Sequence, residues 1–217
     1  MQTIRQRSAL RSPQRKRKWQ TMAQHQIKIE QIPYREARLL IRVADDICCA
    51  GDKIVQRMIQ WRRGGIYGFS HAAPVIRDTF NEGTGRVQVY EALGAGGLQP
   101  AYISELYEAK HGSLYWIPCD CTDEQRQIFM ELAAETAEDG GKAYDYKDTW
   151  KCIIRPFIPL DLKKFNCSEW AWFLKTRAGI CAPRFGNDIE IAPVPGDLPV
   201  WTKAEKIYEL LPPFKKK

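Results

Sequence analysis

Phe165-Asn166-Cys167-Ser168-Glu169-Trp170-Ala171-Trp172-Phe173-Leu174 is the stretch on which the reading of this chain turns. Asn166 is a preferred N-cap, and Glu169 sits where it can reach back to the cap's own N–H. The spacing therefore predicts a helix from about Cys167 to Arg177, stopped at Gly179. Cys167 becomes the first residue inside it, where unsatisfied N–H groups and the positive end of the helix dipole favour an anion. A thiol in that position has its pKa lowered and becomes a nucleophile. A plainer reading also fits: Cys167, Trp170, Ala171 and Leu174 at i, i+3, i+4 and i+7 make a core stripe, with Cys167 as a small buried hydrophobe.

Working outward, residues 66–77 and 86–93 are rich in β-formers, and Asn81-Glu82-Gly83-Thr84-Gly85 between them is a good turn. His71 lies early in the first run, among Ser70, Ala72 and Ala73, whose small side chains leave room beside the imidazole. Glu91 lies in the second run, in Val89-Tyr90-Glu91-Ala92, where an acid is costly to bury without a partner. Residue 81 is midway between positions 71 and 91, so a hairpin brings the two onto adjacent strands. A carboxylate beside the imidazole Nδ1 would orient the ring and stabilise its charged form. The alternatives are a hydrogen-bonded core histidine and a solvent-facing glutamate. Cys167, His71 and Glu91 together make the nucleophile, base and orienter of a thiol hydrolase or acyltransferase. The Cys167 N–H would supply part of an oxyanion hole.

Charge narrows the function classes. The 217 residues carry a formal net charge of +7, but Arg5, Arg7, Arg11, Arg15, Lys16, Arg17 and Lys18 account for it within residues 1–20, which hold no acid. The rest of the chain balances, so it is not a phosphate-binding surface. Residues 1–28 read as a basic, disordered tail, and residues 29–217 as the folded domain. Nucleic acid or anionic membrane would be met through the tail, if at all. A composition of 44% hydrophobic and 11% aromatic residues is that of a globular domain. No apolar run is long enough for a membrane span or a signal peptide, which points to a cytosolic setting. Seven cysteines with spacings unlike a disulfide framework fit reduced thiols. Cys119-x-Cys121 lacks a second matching pair, so neither zinc nor any cofactor is expected.

Other elements are coarser. Thr122 and Gln125 make a capping box for a helix over 123–138, with Ile128, Phe129, Leu132 and Ala133 as its buried stripe and Gly140-Gly141 as its stop. Residues 113–119 read as a strand, 54–63 as an amphipathic stretch, and the proline-rich C-terminal part as mostly extended. Residues 35–48 are too continuously apolar to assign. The fold class is α+β, with a small antiparallel sheet or half-barrel of about five or six strands against the two helices.

From about Gly51 to Trp201 the chain resembles the circularly permuted papain-like amidases of the NlpC superfamily, the YaeF/YiiX-like group. Gly51-Asp52-Lys53-Ile54 is similar to that family's opening strand, and Tyr67-Gly68-Phe69-Ser70-His71-Ala72 to its histidine motif. Val89-Tyr90-Glu91-Ala92 is similar to the strand with the acidic member, and Gly141-Lys142-Ala143-Tyr144-Asp145-Tyr146 to a Tyr-Asp-Tyr segment. Phe165-Asn166-Cys167-Ser168-Glu169 resembles the nucleophile motif, and Pro195-Gly196-Asp197-Leu198 a segment near the domain's end. The histidine precedes the cysteine by 96 residues, the order a permuted fold implies. The resemblance implies a cysteine amidase or endopeptidase acting on an amide- or ester-containing substrate such as a peptide, a cell-wall fragment or a lipid. Cys167 would be the nucleophile, His71 the base and Glu91 the orienter, with Tyr67 and Tyr144 lining the pocket. The alternatives are a lipid-directed thiol acyltransferase related to lecithin:retinol acyltransferase, and a non-catalytic binding module.

Overall fold

In a computed structural model the described residues are 27–51, 67–79, 86–93, 97–109, 112–138, 157–160, 165–186 and 188–212. The organising element is a seven-stranded sheet flanked by helices, an α+β architecture. The strands are β1 (Ile29–Pro33), β2 (Asp46–Gly51), β3 (His71–Arg77), β4 (Gln88–Leu93), β5 (Gly97–Tyr102), β6 (Gly112–Ile117) and β10 (Ile207–Leu211). Their order is β1-β10-β6-β2-β3-β4-β5. Every neighbouring pair is antiparallel except β1 and β10, which run parallel with Ile29 opposite Ile207 and Pro33 opposite Leu211. A second sheet joins β7 (Phe157–Pro159), β8 (Arg184–Gly186) and β9 (Ile189–Pro193) in the order β7-β9-β8.

The helices are α1 (Tyr34–Ala37), α2 (Ile103–Ala109), α3 (Asp123–Glu138), α4 (Cys167–Arg177) and α5 (Leu198–Trp201). On one side of the large sheet, Ile47, Cys49, Ala73, Val75, Val89 and Leu114 pack with Tyr34 and Ala37 of α1 and Ile103 and Leu106 of α2. Alternate positions such as Cys48 and Ala72 join Ala171 and Trp172 of α4 in a different cluster, as the two-residue period of a strand requires. α4 packs against β3, β4, β9 and α3. Hence it is buried well beyond one stripe: Trp170, Ala171, Trp172, Leu174 and even Lys175 are at 0% exposure.

The sheet has two more strands than the five anticipated at the low end, because 29–33 and 207–211 pair across the length of the sequence. No local pattern announces such a pairing. Residues 35–48, unassigned from sequence, divide into a short helix, a turn and a strand. The capping box at Thr122 and Gln125 forms reciprocally, at 2.9 and 3.2 Å. Its helix buries Phe129 and Ala133 as expected, with Thr136 beside them, whereas Leu132 is half-buried and Ile128 is 37% exposed. The tail lies outside the described residues except Ile27 and Lys28, which are held by Tyr67 and Ile207. Residues 54–63, the 81–85 turn and Gly140-Gly141 also lie outside them. Among the described residues no helix is long and apolar enough to cross a membrane.

Candidate active site

The cap at the start of α4 fixes the cysteine. Asn166 Oδ1 accepts from the Ser168 and Glu169 N–H groups at 3.1 and 3.0 Å, and Glu169 Oε2 accepts from the Asn166 N–H at 2.8 Å. Both halves of the box are buried, and it satisfies the Ser168 and Glu169 N–H groups of the first turn. At the far end Gly179 takes φ +70°, the left-handed conformation that closes the helix.

β3 supplies the histidine. Cys49 of β2 pairs with His71, and Val75 pairs with Val89 of β4, with a bulge between Val75 and Arg77. Continuing the Val75–Val89 register puts Glu91 one step diagonally from His71, within reach of long side chains. His71 Nε2 and Glu91 Oε1 are 2.9 Å apart, and the two side chains are 9% and 6% exposed. The expectation of a carboxylate at Nδ1 is thereby corrected. Glu91 approaches along the strand pair and meets Nε2.

The Cys167 sulfur hydrogen-bonds the His71 side chain and the backbone N–H groups of Ala72 and Ser168. Burial alone would push this thiol up. The charge of the imidazole, its hydrogen bond and the two amides outweigh burial and hold Cys167 below the usual thiol range. Cys48, also fully buried, shows the opposite outcome: burial pushes it well up, and Asp46, Cys49 and Cys167 add to that.

Sequence reasoning named all three of these side chains but not the two amides. Ala72 follows the histidine and Ser168 follows the cysteine, so a rule that inspects the residue after each reactive group would have found them. Tyr67 is placed differently from a free pocket wall. It is 3% exposed and stacked on Phe69 at 5.8 Å, and its hydroxyl is engaged with the Ile27 N–H and C=O. Tyr144 lies outside the described residues. Gly196 explains the Pro-Gly-Asp segment: a Cβ there would sit 2.5 Å from the Tyr67 carbonyl oxygen, so only glycine lets this turn press on the chain leading into His71.

No family model matches the chain, and no curated protein matches it. Among solved structures, the chain is similar to the metalloprotein yiiX from Escherichia coli O157:H7 (DUF1105), with a TM-score of 0.51 and 17% identity. The match covers 78% of this chain and 96% of that one. At this identity the likeness is one of fold, and it makes the architecture YiiX-like.

Proposed function

We propose that the protein is a cysteine hydrolase of the amidase or endopeptidase type, with a permuted papain-like domain. One observation carries the reading: a thiol at a capped helix N-terminus shares a hydrogen bond with an imidazole whose Nε2 is 2.9 Å from a buried carboxylate. The same contact weighs against a purely binding module, in which His71 would have no reason to face Cys167.

In the reactive form of the pair His71 carries the proton and Cys167 the negative charge. The thiolate attacks a carbonyl carbon, and the oxygen charge that develops is met by the Cys167 N–H, which in the first turn has no intrahelical acceptor. His71 passes its proton to the leaving amine, giving an acyl-enzyme. It then takes a proton from water as the water attacks the acyl carbon, and the thiolate is released. Glu91, its carboxylate 2.9 Å from Nε2, holds the ring and stabilises its charged form. Tyr67 and Tyr144 remain candidates to line the pocket, Tyr67 through its ring alone. Among the described residues no group of three or more His, Cys, Asp or Glu could hold a metal ion, and no step runs through one. A cytosolic setting, and contact with nucleic acid or anionic membrane only through residues 1–28, belong to the same reading.

The test is a set of amide and activated-ester substrates offered to the parent chain and Cys167→Ala. The expected result is turnover by the parent only, with an acyl adduct on Cys167 seen by mass spectrometry. Products released to an added alcohol in preference to water would move the assignment to acyl transfer. Equal turnover by both chains would reject it.

A further inference from the structure

Two sulfurs that the proposed reaction does not use lie in the turn Pro118-Cys119-Asp120-Cys121-Thr122 between β6 and α3. Unlike Cys48, Cys49 and Cys167, which are buried, Cys119 and Cys121 are partly exposed. Cys121 Sγ is 3.8 Å from the Cys119 carbonyl oxygen, and its thiol also hydrogen-bonds the Cys119 sulfur. Cys119 lines an open cavity of about 460 Å³ together with Pro118, Asp120, Thr202, Lys203 and Lys206. Its backbone is held on both sides: the N–H donates to Asp45 Oδ1 at 2.8 Å, and the carbonyl accepts from Arg126 Nη2 at 3.1 Å.

We infer that Cys119 and Cys121 form a peroxide-reactive thiol pair, with Cys119 as the attacking sulfur and Cys121 as the resolving one. The placement supplies what such a pair needs: access for a small oxidant, a fixed first sulfur and a second sulfur already in contact. Residues two apart in sequence have Cα atoms no farther than about 7 Å, at the edge of the disulfide range. The electrostatics agree with the division of roles. The hydrogen bond from Cys121 opposes burial and, with the Lys175 charge, brings Cys119 down to about 7, while Cys121 is driven far up. Cys181, also partly exposed, is pushed up to about 11 by burial.

The chemistry is a two-electron oxidation by a hydroperoxide. The Cys119 thiolate attacks one peroxide oxygen; an S–O bond forms, the O–O bond breaks, and the alcohol or water leaves with a proton from solvent. The Cys121 sulfur then attacks Cys119 sulfur; the S–S bond forms, the S–O bond breaks, and hydroxide departs as water with the Cys121 proton. Any thiol reductant reverses the pair to two thiols.

The full chain lends itself to a clean assay, because trypsin releases residues 111–126 as one peptide holding these two cysteines and no other. After brief hydrogen peroxide and alkylation of free thiols, that peptide should be lighter than its reduced form by two hydrogens. Its alkylation should fall at least about tenfold faster than that of Cys48 or Cys181. Cys121→Ser should stop the reaction at the sulfenic acid, trapped by dimedone on Cys119, and Cys119→Ser should leave Cys121 alkylatable. Retained alkylation of both sulfurs at peroxide levels that oxidise Cys167 would overturn the inference. So would a disulfide from Cys119 to Cys181, or dimedone on Cys121 in the Cys119→Ser chain.

Discussion

The two ends of α4 carry buried polar clusters of opposite character. At the N-terminal end, Cys167 meets His71 and Glu91. Toward the C-terminal end, Lys175 is fully buried, 3.3 Å from Asp46 Oδ2, and donates to the Ala44 carbonyl. Beside it Asp45 accepts from the Arg42 N–H at 2.9 Å, the Cys119 N–H at 2.8 Å and Trp116 Nε1 at 2.7 Å. Both clusters perturb titrations. Burial disfavours the charged Lys175, yet Asp46 and its neighbours more than offset this and raise it, and burial lifts Asp45 to about 6 despite its three donors. The difference lies in saturation. The three donors aimed at Asp45 each end on a carboxylate oxygen, and Asp46 is held by the Lys175 charge, so these groups face one another. At Cys167 the donors converge on a sulfur that still has a lone pair to give. A shifted pKa marks both sites, and on the proposed function only the first, at Cys167, presents its shifted group to a substrate.

The sharpest way to break this contrast is to remove the base. His71→Ala should lower hydrolysis by about 10²–10⁴-fold, with Glu91→Gln costing less, while urea unfolding of both variants stays cooperative. Activity of His71→Ala equal to the parent would sink the N-terminal assignment. At the other end, Lys175→Met leaves Asp46 buried and unpaired, and should destabilise by about 3–5 kcal/mol, measured by urea denaturation. Adding Asp46→Leu should recover part of that loss, because an apolar pair is cheaper to bury than a single charge. Asp45→Asn replaces one acceptor oxygen with a donor, stranding the Cys119 N–H or the Arg42 and Trp116 donors. An unsatisfied buried donor costs about 1–3 kcal/mol. If Asp45→Asn instead abolished activity in a chain of parental stability, the two ends would not be separable.

Smaller effects sharpen the contrast. The Cys167 anion is favoured in the fold, so its alkylation should persist as pH falls, with a midpoint below about 8.5, whereas Cys48 should stay unlabelled at the same pH. A midpoint at or above the free-thiol value, read by mass spectrometry, would mean that His71 does not support the thiolate. Deleting residues 1–21 touches neither end of α4 and should change stability by no more than about 0.5 kcal/mol in a melting curve. Any salt-sensitive binding to DNA or anionic vesicles should go with the deleted charge.

The N-terminal cluster was legible because its logic is local. Asn166 and Glu169 specify a cap whatever surrounds them, and the antiparallel pairing of Val75 with Val89 sets His71 and Glu91 on adjacent strands. The imidazole nitrogen was misassigned because it depends on the diagonal offset of two strands, which the β3 bulge helps set. The Lys175 cluster was invisible for a physical reason. A lysine in the last turn of a helix complements the dipole and ordinarily stays in solvent. Only the packing of α4 on β3, β4, β9 and α3 buries it, and no periodicity within α4 encodes four neighbours. Ile128 erred in the same way: its apolar character fits the stripe, but the sheet and α4 meet α3 along Phe129 and Ala133.

The parallel pairing of β1 with β10 has a mechanical consequence. A pull transmitted through the chain before Ile29 and after Leu211 acts on opposite ends of two strands lying side by side. All five residue pairs, from Ile29–Ile207 to Pro33–Leu211, then bear the load together, in shear, and none is peeled away first. Resistance to extension should therefore reside in this one ladder, with the sheet behind it, including β3 and its histidine, shielded until the ladder gives way.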